Sequence, residues 1–202
     1  MAVTMIAESG LLIDSQAPEW FRLQDCPGFQ PLKKVGVAEM DFGFVAKEGQ
    51  TRWLVELKDY SHTGRPDGLA EAHSLEYLIH EFVQKAKDSL LVLGSIWYSL
   101  PNKSQLEPDL PMAFRQIPSL NRKLKLAFVV KRDEPQHFKA ATQPLQDKLR
   151  SKIKGQCELL GIREYCEVFL FDHETAIAYG LPLQVNEASP RGSNKTKKKT
   201  KP

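Results

Sequence analysis

Cysteine is scarce in this chain: Cys26, Cys157 and Cys166 are the only three among 202 residues, an odd number scattered along the sequence. With no Cys-x-x-Cys pair, the usual zinc and iron–sulfur frameworks are excluded, and a reduced, cytosolic protein is expected. Long apolar runs are also missing. No stretch approaches the roughly eighteen uninterrupted apolar residues of a membrane span, and the opening residues MAVTMIAES lack the basic start and apolar stretch of a secretory leader. No membrane partner is expected. Nor is there a broad excess of one charge. The formal +3 conceals a split, because six of the 28 basic residues (Arg191, Lys195, Lys197, Lys198, Lys199, Lys201) fall in residues 191–202, where there is no acid. The remainder carries 22 basic residues against 25 acidic ones and is slightly acidic.

What is present is enough apolar material, 42% of residues, to bury one sizeable core. The expected organisation is a single domain over 1–185 and a basic tail over 186–202, rich in Ser, Gly, Asn, Thr and Lys, that cannot pack a core. There is no internal repeat. Pro18 can open a short helix over 17–25, and alternating or continuous apolar residues then predict strands near 33–39, 40–47 and 52–59. The last two face each other across a Lys-Glu-Gly-Gln turn. Residues 61–68 read as a loop, and Leu75, Leu78, Ile79, Phe82, Val83, Ala86, Leu90 and Leu93 recur with helical spacing, predicting helix over 70–98 that ends with Gly94 and the Pro101 region. A strand over 124–130, a helix near 136–160, a strand over 167–171 and a helical turn over 175–179 complete the order. Such alternation implies an α/β fold with a mixed central sheet flanked by helices.

Side chains two apart on a strand share a face, so Glu56 and Lys58 project together while Val55 and Leu57 face the opposite way. Glu39 and Asp41 are paired likewise if the chain is extended there, and the hairpin brings Asp41 within reach of Glu56. Two or three carboxylates then stand beside one ammonium. Hard cations such as Mg2+ take one or two protein carboxylates together with waters and phosphate oxygens. A Glu-x-Lys alone is equally at home as an ion pair decorating a sheet. The flanking Trp53-Leu54-Val55 and Leu57, however, have the look of a core strand.

On these residues the chain resembles the PD-(D/E)XK nuclease superfamily, the restriction endonuclease-like fold, over roughly 15–172. Asp41 matches the first motif acid, and Glu56 with Lys58 matches the Glu-x-Lys. The resemblance implies an αβββαβ core and a metal-dependent nuclease that hydrolyses nucleic-acid phosphodiesters, most readily those of DNA. It implies Mg2+ or Mn2+ held by Asp41, Glu56 and the main-chain carbonyl of Leu57, with Lys58 orienting the attacking water. It further suggests an additional acid at Glu39, with Glu19 behind it, and an assisting Gln84 in the helix after the Glu-x-Lys strand. The chain departs from the pattern in having Met40 where the family name has proline, and it lacks the cysteines of the iron–sulfur subgroup.

Other features have plainer readings beside functional ones. His62 and Arg65 lie on the loop after the Glu-x-Lys strand, where Arg65 is suited either to a phosphate contact or to solvating its loop. His73 and His80 share a helix face without a third metal ligand. Trp20, Trp53 and Trp97 sit in apolar surroundings that suit a core better than base stacking. The slightly acidic body implies that substrate is held by the tail, a local basic cleft, dimerisation or a partner protein. Two rival readings stand beside the nuclease: a non-catalytic nucleic-acid-binding or scaffold module of the same fold, and an unrelated α/β protein.

Overall fold

The computed structural model describes residues 5–14, 19–46, 49–60, 75–101, 103–131 and 135–186. In chain order its elements are β1 (Met5–Glu8), β2 (Leu11–Asp14), α1 (Gln30–Lys34), β3 (Phe42–Val45), β4 (Arg52–Asp59), α2 (Leu75–Trp97), α3 (Lys103–Leu106), β5 (Leu124–Lys131), α4 (Pro135–Leu159), β6 (Cys166–Asp172), α5 (His173–Ala178) and β7 (Leu183–Val185).

Four strands form a mixed sheet in the order β3-β4-β5-β6. β3 runs antiparallel to β4, with Phe42 opposite Val55 and Val45 opposite Arg52. β4, β5 and β6 are parallel, Glu56 lying beside Phe128 and Leu57 beside Val129. Parallel neighbours need a long crossover, and α2 and α4 supply the two crossovers. Both helices cover one face, where Phe82, Leu90 and Leu93 of α2 and Leu149 and Ile153 of α4 pack with Leu54, Leu126 and Phe128. The opposite face, carrying Phe42, Trp53, Val55, Leu57 and Val129, packs on Leu11, Ile13 and Leu183. Those three belong to a second, antiparallel sheet in the order β1-β2-β7. The fold is therefore α/β with two sheets, in three layers.

Several expectations meet the structure closely: the strand over 52–59, the strands now at 124–131 and 166–172, and the long helices at 75–97 and 135–159. Others need correction. The strand expected over 33–39 is replaced by α1 followed by a turn, in which Val35 and Val37 both donate their N–H to the Leu32 carbonyl. Pro31 in the first turn favours the helix, and Val35 is 77% exposed, without the neighbouring strand that alternation presupposes. The strand expected over 40–47 shortens to four residues. In the region 17–25 the described part holds no α-helix: Phe21 bridges antiparallel to Gly43 of β3, and a 3-10 turn follows at Leu23–Asp25. The small sheet covers the face where a second helical layer was expected.

Gly94 does not end α2. The helix runs through it to Trp97, and a Cβ there would lie 2.6 Å from a methyl of Leu160, so the glycine permits a close approach between α2 and the chain just beyond α4. Among the described residues no helix is long and apolar enough to cross a membrane. The loop residues His62 and Arg65, with His73 and the basic tail, lie outside the described residues.

Candidate active site

β4 outruns its partner β3. Pairing with β3 ends at Phe42–Val55, so Glu56, Leu57 and Lys58 project past the end of the hairpin with β5 on one side only. On the free side the Leu57 N–H donates to Asp41 Oδ2 at 2.7 Å, which fixes the Asp41 carboxylate against the strand edge. The Leu57 carbonyl accepts from the Ser9 hydroxyl at 3.1 Å. Ser9 sits in the tight β1–β2 turn, where Ser9 and Gly10 both have positive φ, as two-residue hairpin turns demand. A Cβ on Gly10 would displace the ends of the Asp59 and Lys131 side chains, and its φ of +68° is one that favours glycine, which suits this turn to lie against the end of β4.

Glu56 and Lys58 point toward α2, as alternation requires. Glu56 is 0% exposed. The Lys85 ammonium lies 2.6 Å from its Oε1, and that of Lys58 lies 3.6 Å away. Both oxygens of Glu56 are buried: Oε1 has the Lys85 ammonium against it as a close ion pair, while Oε2 has no hydrogen-bond partner among the described residues. Lys85 also reaches Asp41 Oδ1 at 3.4 Å, and this shared ammonium brings Asp41 and Glu56 together. Lys58 is held in turn by Glu81.

Burial, first, and the nearby charge of Asp41, second, push Glu56 up to about 8, against the opposing pull of Lys85 and Lys58. Burial alone would pull the Lys85 ammonium down, but Glu56 and Asp41 outweigh it and hold its pKa above the ordinary value. Both shifts keep protons in the cluster.

The other residues singled out from the sequence are not in this cluster. Glu39 pairs with Lys33 at 2.8 Å instead of joining Asp41, because the chain between them is not a strand. Glu19 accepts from the Ala113 N–H at 2.9 Å. Gln84 donates to Asp88 at 2.9 Å and lines a separate groove between α2 and α4, with His80, Lys87, Lys148 and Lys152. Trp53 is buried in the layer between the sheets, and the Trp97 indole N–H donates to the Phe114 carbonyl.

The residues that sequence reasoning missed lie within five positions of Gln84 on α2. Glu81, Lys85, Asp88 and Ser89 recur at helical spacing and form the face of α2 that meets the site. Asp88 accepts from the Ala38 N–H and Ser89 from the Met40 N–H, both at 2.9 Å, so α2 holds the segment leading into Asp41. Ser89 carried the signal: a serine placed among the apolar positions of a long helix needs a partner.

Comparison with protein-family models, with curated proteins and with solved structures gives no match. Function therefore has to be argued from the site. Among the described residues no group of three or more His, Cys, Asp and Glu side chains is arranged to hold a metal ion. Asp41 and Glu56 form a pair, and a pair is within the one or two carboxylates that Mg2+ usually takes from protein. The buried carboxyl of Glu56, whose Oε2 has no hydrogen-bond partner among the described residues, offers an oxygen that such a cation takes.

Proposed function

We propose that the chain is a metal-dependent nuclease that hydrolyses nucleic-acid phosphodiesters, most readily those of DNA, on a restriction endonuclease-like core. The observation that carries this reading is Glu56: a fully buried carboxyl group set beside Asp41 and against two ammonium groups. Two carboxyl groups so placed are costly to ionise unless cations stand against them. The order of the antiparallel hairpin β3–β4, helix α2 and parallel strand β5 also supports the resemblance, although the first of the family's three strands is replaced by α1 and its turn.

Asp41 and Glu56 would hold Mg2+ or Mn2+, with the Leu57 carbonyl adjoining once free of Ser9. When bound, the cation supplies positive charge at the phosphodiester and lowers the pKa of water. Asp41 is fixed in place by the Leu57 N–H. Lys58, anchored by Glu81, orients the attacking water or stabilises charge on the phosphate. Glu39 and Gln84 have no place in this arrangement.

The test is incubation with linear, single-stranded, nicked and branched DNA and with RNA, in Mg2+, Mn2+ or EDTA, beside Lys58→Ala and Asp41→Asn. Metal-dependent cleavage is expected for the unaltered protein, falling by about 10²–10⁴ in the Lys58 variant. Cleavage that survives both substitutions would sink this site. A second reading, a non-catalytic binding module, is favoured by one observation: Lys58, Lys85, Glu81, Glu56 and Asp41 are all paired with one another. Nucleic-acid binding without cleavage of any substrate decides for it.

A further inference from the structure

The ammonium of Lys85 occupies the space that a metal ion would need. Its Nζ lies 2.6 Å from Glu56 Oε1 and 3.4 Å from Asp41 Oδ1, the same two carboxylates to which a cation is assigned. Mg2+ draws its oxygens in to about 2.0–2.1 Å, so two cations cannot share these oxygens. We propose that Lys85 is the resident counter-ion of the Asp41–Glu56 pair, and that a divalent cation enters only by displacing it. The site exchanges one cation for another instead of filling a gap.

This inference rests on the metal-site reading above and deepens it. Three observations support the exchange. Lys58 sits farther from Glu56 and is retained by Glu81, so Lys85 is the ammonium that stands between the two carboxylates and must give way. The side chain of Lys85 is 21% exposed, which gives its ammonium a route outward along a flexible stem. The backbone beneath it is the interior of a 23-residue helix, so the displacement is one of side chain and not of fold. Without metal, Lys85 stands between the two carboxyl groups and pairs with both. With metal, that place passes to the cation.

The experiment is calorimetric titration of the full chain with MnCl2, together with melting curves with and without Mn2+, for the unaltered protein, Lys85→Met, Lys85→Arg and Asp41→Asn. Methionine keeps the stem and removes the charge. Lys85→Met is expected to bind Mn2+ at least about tenfold more tightly, within the usual range for coupling between two linked events. It should also melt lower than the unaltered protein without metal and gain more from Mn2+. Lys85→Arg, whose planar fork grips carboxylates more firmly, is expected to bind Mn2+ more weakly. It carries the test alone if the methionine variant does not fold.

Equal or weaker Mn2+ binding by Lys85→Met, or unchanged binding by Lys85→Arg, overturns the exchange. If binding is meanwhile lost in Asp41→Asn, the metal site itself stands. Absence of Mn2+ binding in every protein overturns both the exchange and the metal site, and activity assays are not needed to tell these outcomes apart.

Discussion

A carboxyl that loses its water to burial and faces a second carboxylate holds its proton more firmly, and Glu56 does so up to about 8 even against the pull of Lys85 and Lys58. In the unfolded chain a glutamate ionises near 4.3. Between those values the folded state binds more protons than the unfolded one, so stability falls as pH rises from about 4.5 to about 8. Melting curves over that window are expected to show this decline, and Glu56→Gln, which cannot ionise, is expected to flatten it. An unchanged slope in the glutamine variant would mean that the decline belongs to other groups. Arg52 is the second residue whose environment was not evident beforehand. It is 1% exposed and donates to the main-chain carbonyls of Ala113, Gln116 and Arg122, which pins the segment before β5 to the hairpin. Lysine cannot reproduce that planar fork. Lost hydrogen bonds from a charged group cost about 1.5–3 kcal/mol each, so Arg52→Lys is expected to lower unfolding stability by at least that much in a urea titration.

At the scale of elements, α2 both builds the core and faces the site. Its apolar stripe was legible from spacing alone, and so were β4, β5 and the helix after β5, because each is long and strongly patterned. The polar stripe was harder to read. Charged residues on a helix ordinarily face solvent, and nothing in the sequence of Glu81, Lys85 and Asp88 says that a strand lies across them. The same limit hid β1, β2 and β7, which are three or four residues long and hold together through pairing remote in sequence. Asp88 and Ser89 each accept one backbone N–H from the segment before Asp41. Removing either acceptor is expected to cost about 1–2 kcal/mol in a denaturant titration. Their joint removal should weaken Mn2+ binding as well, because Asp41 then loses its approach. Full metal affinity in the double variant would show that Leu57 alone fixes Asp41.

For the whole molecule, the distribution of charge decides how nucleic acid would be held under the proposed function. Beyond residue 190 lie six positive charges, against a slightly acidic remainder. Truncation after Asn186 is expected to weaken DNA binding and to flatten its dependence on salt, since each phosphate neutralised adds about 0.9 to that slope. A truncated chain with the same slope would place the contact on the body. The assembly of the body also has an order in time. The turn that carries Ser9 to Leu57 belongs to a sheet whose other edge is β7, with Ile13 paired to Leu183. On the ribosome, β1 and β2 thus wait for Leu183–Val185 before their open edge is closed. Until then that edge is a template for unwanted pairing, so a fragment stopped before Leu183 should aggregate during synthesis even though Asp41, Glu56, Lys58 and Lys85 have already been made.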